Sequence, residues 1–166
     1  LLPTDLALEK EEEFKKTKKA QFDGASVEKF GKHVIVTLEN GEYLNAEDER
    51  TLIPLEAAID LALLDPSSDI AVLRGETVKH PKYLGLRTFG AGINLTHLYQ
   101  GKISFLWYIK RDMGAVNKVF RGLASQYYGP EESLFPLKEK PWIATLDTFA
   151  IGGGCQYLLV MDHIMA

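Results

Sequence analysis

The sequence of 166 residues has one cysteine, two tryptophans and no surplus of basic residues. With Cys155 alone, no disulfide can form within the chain, which fits a reducing compartment and a cytoplasmic protein. Nineteen Lys and Arg stand against 23 Asp and Glu, a net charge of −4. That balance offers no electrostatic footprint for nucleic acid. No apolar run reaches about 18 residues, the length a membrane helix needs, and no signal peptide is visible. The histidines at 33, 80, 97 and 163 show no HxH or HxxxH spacing, so no metal cluster is expected. Short-period repeats and low-complexity segments are missing too. The chain opens without Met and stops in the apolar run "HIMA", which reads as a piece of a longer protein.

What is present suits one globular domain, with 46% hydrophobic and 25% charged residues. Residues 6–22, "LALEKEEEFKKTKKAQF", place Glu11 against Lys15 and Glu12 against Lys16 at i,i+4 spacing. The expectation is a solvated helix within a lead-in segment, 1–29, ahead of a main domain, 30–166. A strand is expected at Val34–Leu38, closed by the turn pair Asn40-Gly41. "TLIPLEAAIDLALLD" repeats apolar residues at Leu52, Leu55, Ile59 and Leu63, a helical period with Pro54 in its first turn. "DIAVLRG" (69–75) and "PWIATLD" (141–147) read as buried strands. A long Gly- and Pro-rich loop follows the first of them. Residues 93–124 read as helix in two pieces broken near Gly101, "SQYYGPEESLFPLKEKP" as a loop, and the chain from about Gly153 as helix. Alternating strand and helix predicts an α/β fold.

Two glycine clusters open helices after the buried strands. "FGAGINLTHL" (89–98) and "FAIGGGCQ" (149–156) each permit close backbone approach and leave the first helical N–H groups without intrahelical partners. Ile93 would supply a free N–H just after Gly92, and Asn94 suits a helix N-terminus. Two such turns facing one another could bind an anionic oxygen. The triplet alone is equally compatible with tight strand–helix packing.

On "FGAGINL" and "EKPWIATLDTFAIGGGCQYLLVMDHIMA", in that order, the chain resembles the crotonase (enoyl-CoA hydratase/isomerase) superfamily over roughly residues 30–166. The resemblance implies an α/β spiral of ββα units, incomplete at its C-terminus here, in a homotrimer or hexamer. It also implies an oxyanion hole for an acyl-CoA thioester made by the N–H groups of Ile93 and Gly153. Hydratases of this pattern carry Glu where this sequence has Gln156, and an amide cannot move a proton. "YLNAEDE" (43–49), "LALLDPSSDIAVLRG" (61–75) and "HPKYLGLRTFGAGINLTHL" (80–98) are similar to the branch that oxidises dihydroxyphenylacetyl-CoA with O2. That branch uses no metal or organic cofactor and releases an arylglyoxylate, a precursor of dihydroxyphenylglycine in antibiotics. Its pattern implies that Glu47, Arg111 and Gln156 face the ring hydroxyls. The runner-up is a crotonase-fold hydratase, isomerase or thioester hydrolase; a third reading is a non-catalytic assembly module.

Other residues receive plainer readings. Cys155 reads as a small buried filler, His97 as a packing or surface residue, and the "SFLWYI" aromatics as core. The "NLT" sequon at Asn94 reads as incidental.

Overall fold

The computed structural model describes residues 1–124 and 137–166. Helix α1 (Asp5–Thr17) is capped by the Thr4 hydroxyl, which accepts from the Ala7 N–H. It ends where Lys18 turns left-handed and returns its N–H to the Phe14 carbonyl. Lys15 lies 2.9 Å from both Glu11 and Glu12 on the wet side. The opposite side is not solvated: Ala7 and Phe14 are buried where α1 packs on α2. The helix also stops short of residue 22, because Lys19–Phe22 is strand β1. It pairs antiparallel with β2 (Ala25–Phe30) across Asp23-Gly24, a turn pair that favours tight hairpins.

Six strands form the main sheet in the order β1-β2-β3-β4-β7-β8. Strands β3 (His33–Leu38), β4 (Ile70–Gly75), β7 (Trp142–Thr145) and β8 (His163–Met165) run parallel, and β1 to β3 antiparallel. Val34, Val36, Ala71, Leu73, Trp142 and Ala144 alternate into the core. β8 corrects the expectation of continuous helix after Gly153. Its backbone pairs Ile143 with His163 and Thr145 with Met165, which an apolar run cannot distinguish from a buried helix. A second ladder joins β5 (Leu123–Ala124) to β6 (Leu137–Lys138). Most of the expected loop "SQYYGPEESLFPLKEKP" lies outside the described residues.

Helix α2 (Glu49–Leu64) covers the sheet. It begins earlier than the apolar period suggests, because Asp48 and Thr51 form a reciprocal capping box. Pro54 therefore falls in the second turn rather than the first. Beyond β4, α3 (Leu95–Tyr99) gives way at Gly101 to a rod of α4 (Trp107–Arg111), a π-turn (Asp112–Val116) and α5 (Asn117–Arg121). The break near Gly101 is where the sequence places it. Helix α6 (Gly153–Leu159) follows the glycine triplet. No helix among the described residues is long and apolar enough to cross a membrane.

Asp65, at the end of α2, offers a test of pH dependence. Burial opposes its charge, but Lys29 at 2.7 Å and the Ser67 and Ser68 hydroxyls outweigh burial and lower its pKa to about 2. A carboxylate with a depressed native pKa stabilises the fold above its unfolded value of about 4. That contribution disappears as pH falls from about 4 towards 2. Urea denaturation should show a steeper loss of stability over this window in the wild type than in Asp65→Asn. Parallel curves would refute it.

Candidate active site

The two glycine turns meet. Phe89 N–H donates to the Phe149 carbonyl and Ile151 N–H to the Gly90 carbonyl, and Gly90 bridges Ala150 in parallel register. Gly92 and Gly152 have φ of +78° and +53°, a backbone that side-chain-bearing residues rarely adopt. A Cβ on Gly92 would stand 3.2 Å from the Gly153 nitrogen, so the turns are in contact. Tight packing is part of the reason for the triplet as well. A Cβ on Gly154 would press to 2.8 Å from the Gly90 carbonyl oxygen.

The neighbouring N–H groups are spoken for. Glu47 N–H donates to the Gly92 carbonyl and Asn94 N–H to the Glu47 carbonyl, both at 2.7 Å, while Gly154 N–H donates to Ile151. The N–H groups of Ile93 and Gly153 find no acceptor among the described residues. Helices α3 and α6 have five and seven residues, so two open donors matter more here than a helix dipole.

Glu47, Arg111 and Gln156, separated by up to 109 positions, form one network. Arg111 Nε donates to Glu47 Oε2 and Nη2 to Glu47 Oε1, both at 2.8 Å. Nη2 also donates to the Gly153 carbonyl at 2.6 Å. Nη1 donates to Gln156 Oε1 at 2.7 Å and to Asp112 Oδ1 at 2.9 Å. All five guanidinium N–H groups are thereby used. The guanidinium lies over the Tyr157 ring at 4.5 Å and the Trp107 ring at 5.9 Å.

Arg111 is 0% exposed and Glu47 4%, whereas Gln156 is open to solvent. Burial opposes the charge on Arg111, but Tyr157 and Glu47 more than compensate and raise its pKa. Burial, then the Glu47 charge, pushes the Tyr157 phenol well up, so it stays protonated. The Gln156 oxygen must face the donor Nη1, which directs its NH2 away from Arg111. That NH2 donates to nothing among the described residues.

His97 is more than a surface residue. Its Nδ1 lies 2.8 Å from Asp48, whose carboxylate also caps α2 and accepts from Asn94. Asn94 itself is 2% exposed and caps α3, which accounts for the sequon structurally. The Asp48–His97 contact was legible only as two polar residues far apart in sequence. Cys155 is exposed, contrary to the buried-filler reading, because α6 turns it outward beside Gln156. The "SFLWYI" run divides: Trp107 is buried and Phe105 is 96% exposed. Among the described residues, no group of three or more His, Cys, Asp or Glu is placed to hold a metal ion.

Comparison with known proteins places the fold. No family model matches the chain. It is 41% identical over its whole length to a (3,5-dihydroxyphenyl)acetyl-CoA 1,2-dioxygenase from Amycolatopsis orientalis, and covers 38% of that protein. Over 87% of its length it is 25% identical to a crotonyl-CoA hydratase from Syntrophomonas wolfei, covering 47% of it. An enoyl-CoA hydratase/isomerase structure from Xanthobacter autotrophicus superposes with a TM-score of 0.62 at 20% identity, over 87% of this chain and 46% of that one. A carnitinyl-CoA hydratase from Mycobacterium avium gives 0.60 at 22%, over 88% and 47%. The chain has the crotonase fold.

Its resemblance to the crotonase superfamily thus extends from the two glycine turns to the architecture. The chain spans less than half the length of these relatives. The crotonase-type ββα unit is visible where β2, β3 and α2 precede β4.

Proposed function

We propose that the protein binds an acyl-CoA thioester with its carbonyl oxygen between the N–H groups of Ile93 and Gly153. The observation that carries this reading is the contact of two glycine turns, each bearing one N–H without an acceptor among the described residues. An oxygen that gains negative charge as an enolate forms would be stabilised there more strongly than the neutral carbonyl.

Within that class, the reading is a cofactor-independent dioxygenase of an arylacetyl-CoA. Its support is the 41% identity to the Amycolatopsis enzyme and the amide at Gln156, which cannot serve as a hydratase acid or base. The α-proton between an aryl ring and a thioester is comparatively acidic. Its removal gives a carbanion electron-rich enough to reduce O2 directly. Both oxygen atoms then enter the product: arylacetyl-CoA and O2 become arylglyoxylate and free CoA, with the two α-hydrogens ending as acid and thiol protons. Of Glu47, Arg111 and Gln156, only Gln156 carries a group free to touch a ring hydroxyl, because Arg111 and Glu47 are engaged with one another and with their neighbours.

Mass spectrometry of products from an acyl-CoA panel under 18O2 tests the reaction. Two 18O atoms in an arylglyoxylate are expected, in buffer treated with EDTA as in untreated buffer. Oxygen taken only from water would favour a hydratase or thioester hydrolase, as would turnover without O2 consumption. Failure to bind any acyl-CoA would favour an assembly module.

The ring-facing role of Gln156 has its own test. A phenyl ring without hydroxyls leaves the Gln156 NH2 unpaired, at a cost of about 1–3 kcal/mol. Gln156→Leu should therefore shrink the kcat/KM preference for dihydroxyphenylacetyl-CoA over phenylacetyl-CoA by about tenfold. An unchanged preference would remove Gln156 from the ring site.

A further inference from the structure

The two proposed oxyanion donors come from turns 60 positions apart, and their spacing must be held to a fraction of an ångström. The parallel bridge at Gly90 and Ala150 aligns the chain entering both turns. Past that bridge, a side-chain link joins the turns. Glu47 brackets Ile93 with its own backbone, donating to the Gly92 carbonyl and accepting from the Asn94 N–H. Its carboxylate is held on two oxygens by Arg111, and the same Nη2 that grips Glu47 Oε1 also grips the Gly153 carbonyl. Continuous hydrogen bonding therefore runs from the residues on either side of Ile93 to Gly153.

We propose that Glu47 and Arg111 are positioning residues, a buried bracket that sets the distance and direction between the Ile93 and Gly153 N–H groups. The inference rests on the reading of those two groups as oxyanion donors. Arg111 is fully buried with every N–H engaged, which leaves no donor for a substrate hydroxyl. Both Glu47 oxygens are occupied by Arg111, and Tyr157 closes on Oε2 at 3.4 Å. Gly153 is fitted against the bracket: a Cβ there would stand 3.0 Å from Arg111 Nη2 and 3.1 Å from Glu47 Oε1. A planar, two-pronged guanidinium can hold a carboxylate and a carbonyl at fixed angles, whereas a lysine ammonium cannot.

Removing Arg111 alone would strand a buried carboxylate, so the informative variant is Glu47→Gln/Arg111→Met, which removes both charges together. The reaction to follow is anaerobic exchange of the α-protons of (3,5-dihydroxyphenyl)acetyl-CoA and phenylacetyl-CoA in D2O, read by NMR. With a native-like melting curve, the double variant should lose about 100-fold in exchange kcat, the size expected for misplacement by about 1 Å. KM should stay within about threefold, and the loss should be equal for the two thioesters. Arg111→Lys should fall between wild type and the double variant. A crystal structure of the double variant should show the Ile93 and Gly153 nitrogens at a changed separation.

A loss confined to the hydroxylated ring, or seen in KM alone, would make Arg111 a substrate contact and overturn the bracket. Exchange within about threefold of wild type, with the nitrogen separation unchanged, would also overturn it while leaving the oxyanion reading intact. If wild type exchanges neither thioester, the oxyanion reading fails and the bracket loses its purpose.

Discussion

Gly153→Pro is expected to lower kcat for α-proton exchange by 10²–10³, roughly 3–4 kcal/mol of transition-state stabilisation. Proline is well tolerated at the first position of a helix, which is where α6 begins. The substitution deletes one of the two N–H groups proposed to meet the thioester oxygen. It also adds carbon against Arg111 and Glu47, so it needs a control. Gly153→Ala adds a Cβ at the same place and keeps the N–H. The ratio between the proline and alanine variants therefore isolates the donor itself. Ile93→Ala keeps its N–H too and should be mild. Equal losses for proline and alanine would assign the effect to crowding and remove Gly153 from the oxyanion hole.

Strands β3, β4 and β7 were legible because short apolar runs end at turn residues. The glycine turns were legible because few other reasons place consecutive glycines between a strand and a helix. Arg111 against Glu47 was not legible as a bond: 64 positions separate them, and a hydrogen-bonded pair leaves no periodic mark on a sequence. Resemblance supplied the residues, and only the fold supplied their saturation. Strand β1 was lost to a neighbouring signal. The Glu and Lys spacing of α1 runs into it, and the left-handed Lys18 that separates them has no glycine to announce it. Asp23-Gly24 was the available cue for the hairpin. β8 was hidden differently, since "HIM" pairs through its backbone at the end of the sheet with all three residues exposed.

Lys118→Met is expected to cost about 3–5 kcal/mol of unfolding free energy at pH 7, the penalty for removing one partner of a buried ionic cluster. Lys118 is 1% exposed and lies 2.7 Å from Glu56 and 2.8 Å from Asp60, which is 0% exposed. Asp60 also accepts the Thr4 N–H at 2.7 Å, so one ammonium secures α5, α2 and the entry to α1. The same rod that carries Lys118 carries Arg111, so loosening this end reaches the site through α4 and the π-turn. Burial raises the Asp60 pKa even with Lys118 opposing it. Without the ammonium, burial is opposed only by the Thr4 hydrogen bonds and the pKa climbs further. An acid with a raised native pKa costs stability above that pKa, and the cost fades as pH falls towards its unfolded value of about 4. The deficit of Lys118→Met relative to wild type should therefore be smaller at pH 5 than at pH 7. Urea denaturation at both values reads it directly. A deficit that is the same at the two pH values would mean that lost packing of the lysine stem, not a stranded carboxylate, sets the cost.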